Sequence, residues 1–447
     1  MDESIRQLRQ EGDVNISEGR EQWYNKLDAD TLEWLSRDAA VFLHQSLSTP
    51  CRNVIDSCEG IYLTDIHGKR YMDFHGNSVH QVGYRNPYVT ARLKEQLDIL
   101  PFSPRRYTNK VAIQLAEKLV SLLPATLNRV LFAPGGTSAV GMALKLARRV
   151  TGKQKVISVQ GSFHGASLDA IAVGGEEQFR KYMGQFFPET LFIPQADMYR
   201  NGPEQELQFA ALLDELLTHN NDVGAFIAET IRNTDVQIPS AEYWKRIREI
   251  CDRHQVLLIL DEIPIAFGRT GSLFAFEDYG MVPDILCLGK GLGAGAFPIA
   301  AMVTKDAYNI AGEISLGHYT HEKSPLGAAA ALAMIEYTIG QQLIKKVNED
   351  ESFFRNELML LKNEFSLIGD IRGKGLLWGV ELVKDPLTKE RAVEEAEAVL
   401  YECLKNGLSF KVSQGNVLQL CPPLIISRKQ MADALLIIRG ALQSVKS

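Results

Sequence analysis

The chain has 447 residues, 48 basic and 55 acidic, for a formal net charge of −7. Hydrophobic residues at 45% and charged residues at 23% are ordinary globular usage, which excludes a chain disordered throughout. The mild acidity argues against a nucleic-acid binder. Six cysteines without a CxxC pair argue against a disulfide scaffold and a structural zinc site, so no metal is expected.

The N-terminus, MDESIRQLRQEGDVN, lacks the apolar core of a signal peptide. The longest apolar runs, such as residues 328–335, fall far short of the ~20 residues a membrane helix needs. A soluble, cytoplasmic protein without a membrane partner is expected.

Residues 4–48 alternate charges with spaced apolar residues, which predicts one or two amphipathic helices. GIYLTDIHGKRYMDF (60–74) reads as strand, turn and strand, with His67 and Gly68 at the turn. From about residue 110, helical stretches alternate with short apolar runs: RVLFA (129–133), KVISV (155–159), ETLFI (189–193), VGAFIAE (223–229), VLLIL (256–260), DILCL (284–288) and IAAMV (299–303). That alternation predicts an α/β fold with a mostly parallel sheet covered on both faces. A long Ala-rich helix and a smaller mixed region follow after about residue 325.

Ligands of such sheets bind at the carboxyl ends of the strands. LILDE (258–262) ends a run with Asp261, and GKGLG (289–293) places Lys290 between glycines after another. Taken singly, each has an ordinary reading, a helix-capping Asp and a surface lysine. APGGTSA (133–139) sets Gly136 and Thr137 before a helix, where free N–H groups and the helix dipole favour an anion such as phosphate. A simple turn reads equally well there. It is not a P-loop, because no GK[ST] follows. Phe163 in GSFHGAS (161–167) could stack on a flat ring or pack in the core. A lysine, a carboxylate, a phosphate cradle and an aromatic at strand ends together fit pyridoxal 5'-phosphate.

The sequence resembles the class III, ω-aminotransferase-like family of fold-type I pyridoxal-phosphate enzymes from about residue 60 onward. The resemblance rests on YLTDIHGKRYMDF, PGGTSA, SFHG, THEKSPLGAAAALA, IRGKGLLWGVEL, VLQLCPPL and above all residues 260–293. It implies a large domain (81–330) with a mostly parallel seven-stranded sheet. It also implies a smaller α+β domain drawn from both termini, with N-terminal helices and hairpin at 1–80 and the remainder at 331–447. It implies a homodimer with shared active sites. Lys290 would carry the cofactor covalently and shuttle protons, and Asp261 would hold the ring nitrogen protonated. Phe163 would stack on the ring. Gly136 and Thr137 would bind the phosphate, with Thr320 reaching in from the partner subunit.

Departures from the family pattern are informative. Members acting on α-amino acids carry an arginine for the α-carboxylate where this chain has Gln419, and often a gating glutamate where Thr234 stands. Pro264 replaces a usual Gln, Ser138 a usual Glu, and Glu322-Lys323-Ser324 a GGN segment. Together these imply an enzyme that need not accept a keto acid. DFHGNSVHQVGYRNP (73–87) and FSPRRYTNK (102–110) resemble a narrower branch, the ammonia-lyases of (R)-1-hydroxy-2-aminoethylphosphonate, which yield phosphonoacetaldehyde. That branch implies a phosphonate-binding pair at Arg105 and Arg106, with His80 and Lys323 as weaker candidates; a solvated basic pair is the ordinary reading. The alternative within the family is an ω-aminotransferase acting on an amine or aminophosphonate with a keto acid. A nicotinamide oxidoreductase built on Gly291, Gly293 and Gly295 lacks the strand–GxGxxG–helix context. A non-catalytic binding protein would not need Lys290 and Asp261.

Overall fold

The computed structural model describes residues 18–43 and 50–446. Two helices, Glu18–Asn25 and Ala29–Val41, occupy part of the N-terminal stretch, the second capped by Asp28 accepting from the Thr31 N–H at 2.8 Å. The remainder of the helical expectation, 4–17 and 44–48, lies outside the described residues.

Strands β1 (Ile55–Glu59), β2 (Tyr62–Asp65) and β3 (Arg70–Asp73) form an antiparallel meander. The turn joining β2 and β3 contains the expected His67-Gly68. Next come β4 (Arg129–Ala133), β5 (Lys155–Val159), β6 (Thr190–Ile193), β7 (Val223–Glu229), β8 (Leu257–Asp261), β9 (Ile285–Leu288) and β10 (Ala300–Thr304). They make one seven-stranded sheet in the order β4-β10-β9-β8-β7-β5-β6. All neighbours are parallel except β10, which runs antiparallel to β4 and β9.

These strands are apolar runs because both faces of the sheet are covered. Alternate residues feed opposite cores. Ala225, Ile227, Leu257, Ile259, Ile285 and Cys287 pack with Val140, Met142 and Leu146 of helix Gly136–Thr151. Phe226, Ala228, Leu258, Leu260, Leu286 and Leu288 face the other way, with Trp244 and Ile247 of helix Ala241–His254 and Ala328, Ala331 and Ala333 of helix Pro325–Gly340.

The C-terminal region adds β11 (Ile368–Lys374), β12 (Leu377–Asp385), β13 (Glu390–Arg391), β14 (Leu408–Ser409), β15 (Lys411–Ser413) and β16 (Val417–Leu420). A second sheet runs β11-β12-β16-β15, with β13 on β12. β14 joins the N-terminal meander instead, parallel to β3. Both ends of the chain therefore build one sheet.

A candidate cofactor site at the strand ends

Asp261 closes β8 and Glu229 closes β7 in register beside it. Asp261 is 2% exposed. Its Oδ1 accepts the Ile263 N–H at 3.0 Å, and its Oδ2 lies 2.8 Å from Nδ1 of buried His164. Nε2 of His164 has no protein partner among the described residues. Glu229 accepts from the N–H of Phe163 at 3.3 Å and of Asn233 at 3.0 Å. Burial raises its pKa, against the pull of His164 and Arg232, and Asp261 raises it further.

Lys290 follows β9 and sits at φ +43, in the left-handed region that side chains seldom occupy. The glycine after it is a packing requirement. A Cβ on Gly291 would fall 1.3 Å from Oε1 of Gln81. Burial lowers the Lys290 amine below its ordinary pKa, while Asp261, Glu229 and Cys421 pull the other way.

Residues 134–138 are half-buried at the start of helix Gly136–Thr151. The first N–H groups of a helix have no intrahelical acceptor. Thr137 Oγ1 accepts the Ala166 N–H at 3.3 Å, and Gly165 packs so closely that a Cβ would lie 2.1 Å from that oxygen. Half-buried Phe163 stands with its ring centroid 5.0 Å from that of Phe179.

Lys290, Asp261, Phe163, Gly136 and Thr137 thus all lie on elements that leave the carboxyl ends of this sheet. The set fits pyridoxal phosphate: an amine of lowered basicity, a braced carboxylate, half-buried helix N–H groups and an aromatic ring. Sequence reasoning gave no role to His164 or Glu229, although each had a signal. His164 adjoins Phe163, and Glu229 ends an apolar run.

The segment 73–81 bounds Lys290 from the N-terminal meander. The Phe74 carbonyl accepts the Cys421 N–H at 2.6 Å, Ser78 Oγ lies 4.0 Å from Cys421 Sγ, and Gln81 packs on Gly291 as above. His80 is fully buried, with Nε2 3.1 Å from the Asp73 carbonyl. Burial lowers its pKa to about 4.

Gln419 is fully buried and donates to the Asn233 carbonyl at 2.6 Å. Thr234, on the same loop, is half-buried, and Pro264 is buried. Arg105, Arg106, Thr320 and Lys323 are exposed. Arg105 Nη2 lies 2.7 Å from His318 Nδ1, and Nη1 lies 3.9 Å from Glu322. Glu322 accepts the His318 and Tyr319 N–H groups at 2.8 and 3.2 Å, so it braces the loop that carries Thr320. Arg106 covers the Tyr107 ring. Among the described residues, the ion pairs and hydrogen bonds of the two arginines do not reach Lys290, Asp261 or Gln419.

Sheet order and site geometry define a fold-type I pyridoxal-phosphate enzyme. The class III aminotransferase family model matches residues 45–442, and the chain belongs to that family. Its cofactor is pyridoxal 5'-phosphate. The chain is 54% identical to an (R)-1-hydroxy-2-aminoethylphosphonate ammonia-lyase of Vibrio splendidus, across 98% of this chain and 96% of that protein. It is 33% identical to a leucine/methionine racemase of Thermococcus litoralis, across 93% and 96%. Among solved structures, an aminotransferase of Bacillus anthracis superposes with a TM-score of 0.86 at 29% identity, covering 94% of this chain and all of that one. An amine transaminase from an uncultivated Pseudomonas species, in its cofactor-bound form, gives 0.82 at 29% identity, covering 91% and 98%.

Proposed function

We propose that the chain is an ammonia-lyase that converts (R)-1-hydroxy-2-aminoethylphosphonate to phosphonoacetaldehyde and ammonia, in phosphonate catabolism. The observation that carries this reading is the loop of residues 230–237. Where α-amino-acid enzymes of the family set an arginine against a gating glutamate, Gln419 and Thr234 stand, and Gln419 is committed to the Asn233 carbonyl. A fixed hydrogen bond takes the place of a charged switch between two substrates. Elimination within one substrate needs no such switch. The near full-length likeness to a protein of that activity supports the same reading.

Pyridoxal phosphate, when bound, supplies an electron sink for the carbon that carries the substrate amine. Lys290, whose basicity burial lowers, takes the proton from that aminomethyl carbon. Asp261, oriented by His164 and the Ile263 N–H, holds a proton at the ring nitrogen. The N–H groups of Gly136 and Thr137 bind phosphate at the helix N-terminus. Phe163 covers the ring. The C–H electron pair forms a carbon–carbon double bond as hydroxide leaves the neighbouring carbon as water, with the proton that Lys290 has taken up. The released enamine takes up water and yields aldehyde and ammonia.

The remaining features follow the family pattern: a cytoplasmic homodimer in which Thr320 completes the partner's phosphate site. The chain divides into N-terminal helices and hairpin (1–80), a large cofactor-binding domain (81–330) and a C-terminal small domain (331–447). Phosphorus NMR of the holoenzyme with the racemic substrate tests the reaction. Half of the signal should convert to phosphonoacetaldehyde with equimolar ammonia. An unchanged spectrum would refute it.

A further inference from the structure

Four residues stand side by side across the C-terminal sheet. Arg372 on β11 is opposite Gly379 on β12, Gly379 is opposite Gln419 on β16, and Gln419 is opposite Lys411 on β15. Residues directly opposite in antiparallel strands share a face. All four positions therefore look toward the loop of residues 230–237.

Three of them meet that loop. Arg372 donates to the Asp235 carbonyl at 2.7 and 3.0 Å and to the Val236 carbonyl at 2.9 Å. Gly379 leaves room for Val236, whose Cβ would lie 3.1 Å from a Cβ placed on the glycine. Gln419 donates to the Asn233 carbonyl at 2.6 Å. The row thus follows the loop from 236 back to 233, and half-buried Lys411 is its next member.

Lys411 stands near titratable groups carried on two other elements. Its field acts on His75 and on Glu176. Glu176 stands 3.8 Å from Arg232, and His75 in turn feels Lys290. His75 lies in the segment that bounds Lys290, with its N–H on Asp73 Oδ1 at 2.9 Å.

We propose that Lys411 is the specificity residue that binds the phosphonate end of the substrate, taking over one strand away the task that an arginine at position 419 performs for a carboxylate. This rests on the lyase reading above. Neighbouring strands are about 4.8 Å apart, so the cation moves outward by that step while keeping its face. The substrate makes the same kind of move. An α-amino acid carries its acid on the carbon that bears nitrogen, whereas a 1-hydroxy-2-aminoethylphosphonate carries it one carbon further on. An ammonium on a long stem also suits a phosphonate, which accepts a point charge from any of three oxygens.

Calorimetric titration of the holoenzyme with 2-hydroxyethylphosphonate isolates the acid end, because this probe has no amine. Lys411→Met should weaken binding ~10- to 100-fold, the scale of a charge-assisted hydrogen bond, and Lys411→Arg should keep most of it. With full substrate, KM should rise more than kcat falls, while cofactor absorbance and the thermal midpoint stay as in the wild type. Lys411→Gln is the second charge-free variant should the Met variant not fold. Equal binding by wild type and a folded charge-free variant, or a loss confined to Arg105→Met, overturns the assignment alone. A wild-type enzyme that binds no phosphonate overturns the lyase reading and the assignment together.

Discussion

The side-chain amide of Gln419 donates to the main-chain carbonyl of Asn233 at 2.6 Å, and Gln419 itself is fully buried. Position 419 is thereby a brace for the loop behind Glu229. An arginine placed there would force a longer, charged side chain into a fully buried position, where Thr234 offers no carboxylate.

Gln419→Arg should therefore not create an aminotransferase. It should lower stability by ~1–3 kcal/mol, because a larger side chain is forced into a fully buried, well-packed position. Thermal unfolding checks the first part. An assay with ornithine or alanine and 2-oxoglutarate checks the second. Robust transamination by either wild type or variant would contradict the assignment.

Lys290→Ala should remove covalent attachment of the cofactor and cut turnover by at least ~10²- to 10⁴-fold, the usual contribution of a positioned acid–base group. Borohydride reduction of the wild type followed by peptide mapping should label the Lys290 peptide. A label on another lysine would displace it from this role.

Asp261→Asn should still bind the cofactor but react severely more slowly, since an amide does not stabilise a proton on the ring nitrogen. His164→Ala should fall between this variant and the wild type, because Asp261 keeps the Ile263 N–H while losing its ring partner. A near-normal rate in Asp261→Asn would make that carboxylate structural.

Glu262 gives a pH signature independent of catalysis. It is fully buried and accepts from Thr230 Oγ1 and the N–H groups of Ala275 and Phe276 at 2.8, 2.7 and 2.7 Å. Burial raises its pKa to about 7, against the pull of these donors. A raised folded-state pKa means that the folded chain holds the proton more tightly than the unfolded one. This contribution is complete below the ordinary pKa of 4.5 and disappears as pH rises through about 7. Thermal midpoints should decline over that window in the wild type, and Glu262→Gln should lack that part of the decline. Identical slopes would remove Glu262 as its source.

The central sheet was legible because burial on both faces turns its strands into continuous apolar runs; VGAFIAE, residues 223–229, coincides with β7. Asp261 and Lys290 were legible for the related reason that polar residues ending such runs are conspicuous. The polar strand Ile55–Glu59, largely exposed, carries no such pattern, and Leu408–Ser409 and Lys411–Ser413 are too short to show one. The row from Arg372 to Lys411 depends on registers between strands distant in sequence, which no local pattern encodes. Arg105 and Arg106 stand out through the resemblance of FSPRRYTNK to the narrower branch, and within the chain their contacts run to His318, Glu322 and Tyr107.

The most direct test of the lyase account is turnover without an amino acceptor. Purified holoenzyme, given excess (R)-1-hydroxy-2-aminoethylphosphonate and no keto acid, should release ammonia and phosphonoacetaldehyde in equal amounts over many cycles. Product that stops at or below one equivalent per site, and resumes only when pyruvate or another keto acid is added, would contradict the account and establish an aminotransferase.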